Sequence, residues 1–154
     1  MIFLCVNYGH NATVVIIEQK AVSNRNGQVG IEYSFASDPD ATIAGSSMSY
    51  ARGRAAHKIT IETVSLDDYI RSKSIANVSL VKIDVEGAEM LVFEGMRGIL
   101  IEMRPIIIVE LAREERIREG KAFLEALDYT CSDVELKPSY TNVLAVPRES
   151  ISDL

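Results

Sequence analysis

The chain is predicted to fold as a layered α/β domain on three observations. The apolar run Leu80-Val81-Lys82-Ile83 is followed by Asp84 and Glu86 and then by Gly87. A second run, Ile106-Ile107-Ile108-Val109, ends in Glu110. Between and after them, apolar residues recur at helical spacing. Buried strands of open α/β sheets place their chemistry at their carboxyl ends, so the two runs are expected to aim acids at one edge.

The opening Met1 to Val6 reads as a short strand or the tail of a helix. It has neither the basic lead nor the length of a signal peptide and is too short to span a bilayer. Thr13 to Ile17 is β-branched and is expected as a buried strand running through Lys20 to Ala21-Val22-Ser23. Asn24-Arg25-Asn26-Gly27 breaks it. Val29, Ile31, Tyr33 and Phe35 then alternate with smaller or polar residues, which predicts a hairpin with one buried face. Residues 36–54 carry Ser, Ala, Gly and Asp with little period and read as a long loop.

Lys58 to Val64 alternates as a half-exposed strand, and Ser65-Leu66-Asp67-Asp68 reads as a helix start with acids in its first turn. After Gly87, the residues Ala88, Leu91, Val92, Met96, Ile99 and Leu100 form an inward helical stripe that leaves Glu89, Glu94 and Arg97 for the other side. Arg104-Pro105 stops that helix. Glu114 to Leu127 is a further helix, with the run from Arg113 to Glu119 as a solvated charged face. Val134 to Leu136 and Val143 to Val146 supply two closing strands. The order of elements describes half of a layered domain.

With 154 residues, of which 47% are hydrophobic, the chain fits one compact domain with a real core. Its 16 basic and 22 acidic side chains give a net charge of −6, and the basic ones form no stripe, so nucleic acid is not an expected partner. No membrane partner is expected either. Cys5 and Cys131 lack metal-ligand spacing and read as reduced thiols, which points to the cytoplasm.

Several segments, in order, resemble the FkbM-type methyltransferases. They are Ala21-Val22-Ser23-Asn24 with Gly27, Ser46-Ser47, Thr63 to Tyr69, Val81 to Glu89, Glu94-Gly95, Arg104-Pro105 with Ile106 to Glu110, and Ala126 to Tyr129. The resemblance implies S-adenosylmethionine (SAM) as cofactor and a partial class I methyltransferase fold. That fold is a Rossmann-like three-layer sandwich with a mostly parallel sheet, an antiparallel C-terminal strand and its first strands missing. It also implies O-methylation of a small-molecule or saccharide acceptor.

The family's glycine-rich cofactor turn has no counterpart here, and Asn7-Tyr8-Gly9-His10-Asn11 does not supply one. Residues 1–154 are therefore expected to form a single, N-terminally truncated methyltransferase-like domain. Its bared sheet edge would invite self-association or the family's N-terminal half. The alternative is a catalytically inactive fragment acting as a binding or assembly module.

Asp84, Glu86 and Glu110 are the candidate catalytic residues, and the resemblance implies that Asp84 faces the methyl group and the acceptor, where it would orient or deprotonate an incoming hydroxyl. By resemblance, Ala21, Val22 and Ser23 would touch the adenine, and Asp84 would border the cofactor. Each has a structural reading as well. Asp84 could cap the following helix, Glu86 and Glu89 could compensate its dipole, and Ala21 to Ser23 could be an ordinary strand end. Lys82, inside an apolar run, should reach an edge or an acid such as Glu110 or Asp67. His10 and His57 have no partner at ligand or triad spacing. Met90 and Met96 read as core filler. Scattered acids assign no metal, although Asp84, Glu86 and Glu110 have the chemistry to gather a divalent ion.

Overall fold

The structure is a computed structural model that describes residues 2–8, 12–33, 42–43, 57–137 and 139–151. Strand β1 (Ile2–Tyr8) pairs antiparallel with β2 (Ala12–Glu18). The expected burial of β2 is not met, since Val15 and Ile17 are 60% and 63% exposed. Next come β3 (Ala21–Val22), β4 (Gly27–Tyr33), β5 (Thr42–Ile43) and β6 (His57–Val64), arranged in the order β3-β6-β4-β5.

The predicted hairpin between β3 and β4 is corrected, because β6 lies between them, parallel to β3 and antiparallel to β4. Side chains of the intervening bend explain this. The Ser65 N–H donates to Asn26 Oδ1 at 3.0 Å, and Thr63 Oγ1 donates to Arg25 O at 3.1 Å, so the bend is fastened to the end of β6. His57 opens β6, whereas His10, Phe35 and most of the expected loop lie outside the described residues.

Helix α1 (Leu66–Ser72) begins as its sequence indicates, with the Ser65 hydroxyl accepting the Asp68 N–H at 3.2 Å. It leads to β7 (Leu80–Ile83), α2 (Glu89–Gly95), α3 (Arg97–Glu102), β8 (Ile106–Ala112), α4 (Glu114–Glu125), β9 (Tyr129–Leu136) and β10 (Tyr140–Pro147). A 3-10 turn at Arg148–Ile151 follows. The second four-stranded sheet has the order β7-β8-β10-β9. In it β7 and β8 are parallel, and β10 runs antiparallel to both of its neighbours.

The described chain is therefore mixed α/β, but its pairing is not mostly parallel. Only β3 with β6 and β7 with β8 run in the same direction. The pair β9 and β10 is joined by a short connection, which suffices to reverse a strand, whereas the parallel pair β7 and β8 is joined by a crossover through α2 and α3.

One face of the second sheet is sealed. Ile83, Ile107, Val109, Leu111, Val143 and Ala145 are buried with Phe93, Met96, Leu100 and Leu124 of the helices. The opposite face carries Leu80 and Ile106, register partners that are 54% and 37% exposed, so β7 is half-buried rather than buried throughout.

The single helix expected after Gly87 is divided at Met96 into α2 and α3. Asp67 accounts for the break. Its carboxylate accepts the Gly98 and Ile99 N–H groups at 2.8 and 2.9 Å, giving α3 a start of its own. That also removes Asp67 as a partner for Lys82.

Beyond α3, Arg104 adopts φ 53° before Pro105. Its guanidinium donates to Leu100 O, Leu127 O, Asp128 O and the Glu149 carboxylate, and it lies 4.6 Å from the Tyr129 ring centre. This one side chain joins the ends of α3 and α4 to the closing turn.

At Gly95 a Cβ would lie 2.0 Å from Ser23 O, so Gly95→Ala forces α2 away from β3. The expected loss is about 1–3 kcal/mol in urea unfolding, the usual range for overpacking.

Arg104 holds the Glu149 carboxyl at about 2, below its ordinary 4.5. A lowered carboxyl pKa stabilises the fold above the ordinary value, and that contribution is lost as pH falls through the folded value. Thermal unfolding of the wild type is expected to decline between about pH 4.5 and 2, and Glu149→Gln should decline less over that window. High salt should narrow the difference, because Glu149 is largely exposed.

Candidate functional site

The two parallel strands β7 and β8 end at one rim. Their register pairs Lys82 with Ile108 and Ile83 with Val109, so Asp84 and Glu110 follow side by side. A carboxylate oxygen from each of Asp84, Glu86 and Glu110 lies within 4.8 Å of the others. Asp84 and Glu86 are exposed, and Glu110 is half-buried. The sequence alone offered these three as a set, and the fold brings them together.

The turn after β7 sets their geometry. Glu86 has φ 47° and Gly87 φ 100°, so two consecutive residues occupy the left-handed region. Glycine tolerates this freely, whereas a glutamate held there needs support from its surroundings.

That support comes from Glu89 and Arg116. Glu89 Oε1 accepts the Gly87 N–H at 2.6 Å, and Arg116 Nη1 donates to Gly87 O and lies 3.5 Å from Glu89 Oε2. Glu89 is buried, contrary to its expected place on the solvent side of the helix. An acid in the first turn of α2 also meets the positive end of the helix dipole. The capping role considered for Asp84 is not seen, since the N-cap position of α2 is Ala88 and no side-chain cap is made there.

Lys82 extends along the exposed face, with Nζ 3.4 Å from both Asn142 Oδ1 and Ile83 O. Asn142 is the register partner of Glu110, so this ammonium lies on the same face as the acids.

Ala21, Val22 and Ser23 occupy a different position. Ala21 is buried, Val22 packs against the core, and the Ser23 carbonyl abuts Gly95 at the far end of α2 from Glu89. Ser23 N donates to Val64 O at 3.0 Å. The fold therefore joins the three acids but does not bring this segment into their cluster.

A polar cleft of about 440 Å³ lies beside β6 and α1, lined by residues including Glu18, Lys20, Asn26, Glu62, Tyr69 and Lys73. Its charges close on one another, with Lys20–Glu62 and Lys73–Glu18 pairs both at 3.1 Å. The hydrogen bond from Lys73 holds the Glu18 carboxyl below its ordinary value, and burial pushes the Tyr69 hydroxyl up. Burial likewise pushes the Cys131 thiol up to about 11, which suits an inert core cysteine rather than a nucleophile.

Arg116 is the member of the site that sequence reading missed, and for Glu89, expected as a dipole-compensating acid, the tie to the Gly87 N–H was not foreseen. Arg116 stands in a charged run with the pattern of a solvated helix face, and nothing local signals a partner 29 residues away. For Glu89 a signal existed, because an acid two residues after a glycine at a helix start can turn back onto the free N–H groups.

Acids gathered at the carboxyl ends of two parallel strands occupy the rim at which open α/β sheets place their sites. The more particular assignment comes from comparison. The chain matches the family model of the methyltransferase FkbM domain over residues 5–133 and belongs to that family. No curated protein and no solved structure matches it. Among the described residues, no helix is long and apolar enough to cross a membrane.

Proposed function

We propose that the chain serves as a SAM-dependent methyltransferase acting on a hydroxyl oxygen of a small molecule or saccharide. The observation that carries this reading is the convergence of Asp84, Glu86 and Glu110 within 4.8 Å at the rim of β7 and β8, in a chain of the FkbM family. The donor set suits the cofactor by charge, since three carboxylates favour a sulfonium cation nearby. SAM, when bound, supplies an electrophilic methyl group. Asp84 orients the acceptor hydroxyl and takes its proton, and Glu86 and Glu110 shape the pocket and hold the cationic donor close. In this reading Ala21 to Ser23 contribute backbone, because the Ala21 and Val22 side chains are turned to the protein interior. The cytoplasm, an oxygen acceptor and a second copy as partner are parts of the same proposal.

The exposed pair Leu80 and Ile106 favours a second reading, a non-catalytic binding or assembly module. Calorimetry with SAM separates the two. Micromolar uptake supports the enzyme, and absence of heat at millimolar SAM leaves the module. Once an acceptor is found by screening hydroxylated compounds with labelled SAM, Asp84→Asn is expected to slow transfer by about 10²–10⁴-fold while SAM uptake falls far less. Undiminished turnover in Asp84→Asn would remove it from the chemistry.

A further inference from the structure

We propose that Arg116 is a positioning residue that ties the acid-bearing turn after β7 to the first turn of α4, and so fixes Asp84 and Glu86 against Glu110. The inference rests on the proposed function only in taking these acids as the groups that face the reactants.

Three observations place Arg116 in that role. It bridges two connections that leave the same rim, since Asp84 and Glu86 lie on the one after β7, and Glu110 lies on β8, which runs into α4. Its guanidinium holds both the carbonyl of Gly87 and the Glu89 carboxylate, and that carboxylate holds the Gly87 N–H. The peptide groups on either side of Gly87 are thus gripped from two elements. The gripped segment also has the positive φ of Glu86 and Gly87, which relaxes unless neighbours determine it. Both contacts are made by Nη1, which carries two protons and so serves the carbonyl while facing the carboxylate.

Glu89 makes the arrangement demanding. Its side chain is 4% exposed, and removal of Arg116 alone would leave a buried carboxylate without its cation. Stability and positioning are therefore separated by a charge-matched variant, Arg116→Met with Glu89→Gln. The amide can still accept the Gly87 N–H, and no buried charge is stranded.

The experiment compares wild type, Arg116→Lys and the charge-matched double variant. Amide hydrogen exchange is read residue by residue, and SAM binding is read by calorimetry. In the double variant, Glu86 and Gly87 should exchange on the order of tenfold faster, while amides of α4 and β8 keep their protection. Arg116→Lys should fall between the two. Where wild type binds SAM, the double variant should bind it about tenfold more weakly, as expected when a supporting shell loosens.

Unchanged exchange at Gly87 overturns the proposal, as does a uniform loss of protection through α4 and β8, which would mark an ordinary structural ion pair. A loosened turn with undiminished SAM affinity overturns the positioning role. Failure of wild type to take up SAM defeats the proposed function instead, and the exchange measurement still decides the clamp.

Discussion

Burial of Ile107, Val109 and Leu111 beneath the helices leaves Glu110 only one direction in which to point. Side chains alternate along a strand, so sealing the odd positions of β8 turns Ile106, Ile108 and Glu110 to the other face. The same parity acts on the neighbours. Ile83 and Val143 are buried, and Lys82 and Asn142 therefore share the face of Glu110. A slip of one residue in either pairing would draw the rim acids toward the core and expose the apolar set, at a cost of roughly 1.5–3 kcal/mol for each aliphatic side chain uncovered. The position of the rim acids is thus enforced by hydrophobic burial.

Two arginines complete this frame at opposite ends of β8. Arg104, just before the strand, gathers the ends of α3 and α4 and the closing turn. Arg116, just beyond it, grips the turn after β7. Each acts where residues have positive φ, at Arg104 itself and at Glu86 and Gly87, and each satisfies backbone carbonyls that a helix end or tight turn leaves without partners. They differ in burial of the paired acid. Glu149 is mostly exposed, so its pair is screened and contributes through geometry, whereas Glu89 is enclosed and depends on its cation.

Much of this was legible in the residues. Apolar runs ending in acids fixed β7, β8 and their shared rim, Ser65 announced α1, and Arg104-Pro105 marked the end of α3. These are local signals, written in period and in capping chemistry. Most of what escaped was long-range. Asp67, read as a first-turn acid of its own helix, splits α2 from α3 by accepting amides 31 and 32 residues away. The Asn24–Gly27 bend has turn chemistry but does not close a hairpin, because Thr63 and Ser65 of a distant segment hold it against β6. Helical spacing placed Glu89 outward, yet its carboxylate turns back to the Gly87 N–H, a hydrogen bond that outweighs the polarity of the side chain.

The electrostatics of the rim narrow the chemistry it suits. Three carboxylates at this spacing repel one another by about 1 kcal/mol per pair in water, and by more where the surroundings are less polar. Such a site resists an anionic guest. A phosphorylated acceptor would add to the repulsion, whereas a sulfonium donor relieves it and a neutral hydroxyl does not increase it. Under the proposed function, an alkoxide is far more basic than a carboxylate, so Asp84 would take the hydroxyl proton as the carbon–oxygen bond forms rather than before it. Under that reading, the charge of the rim suits a cationic donor and an uncharged acceptor.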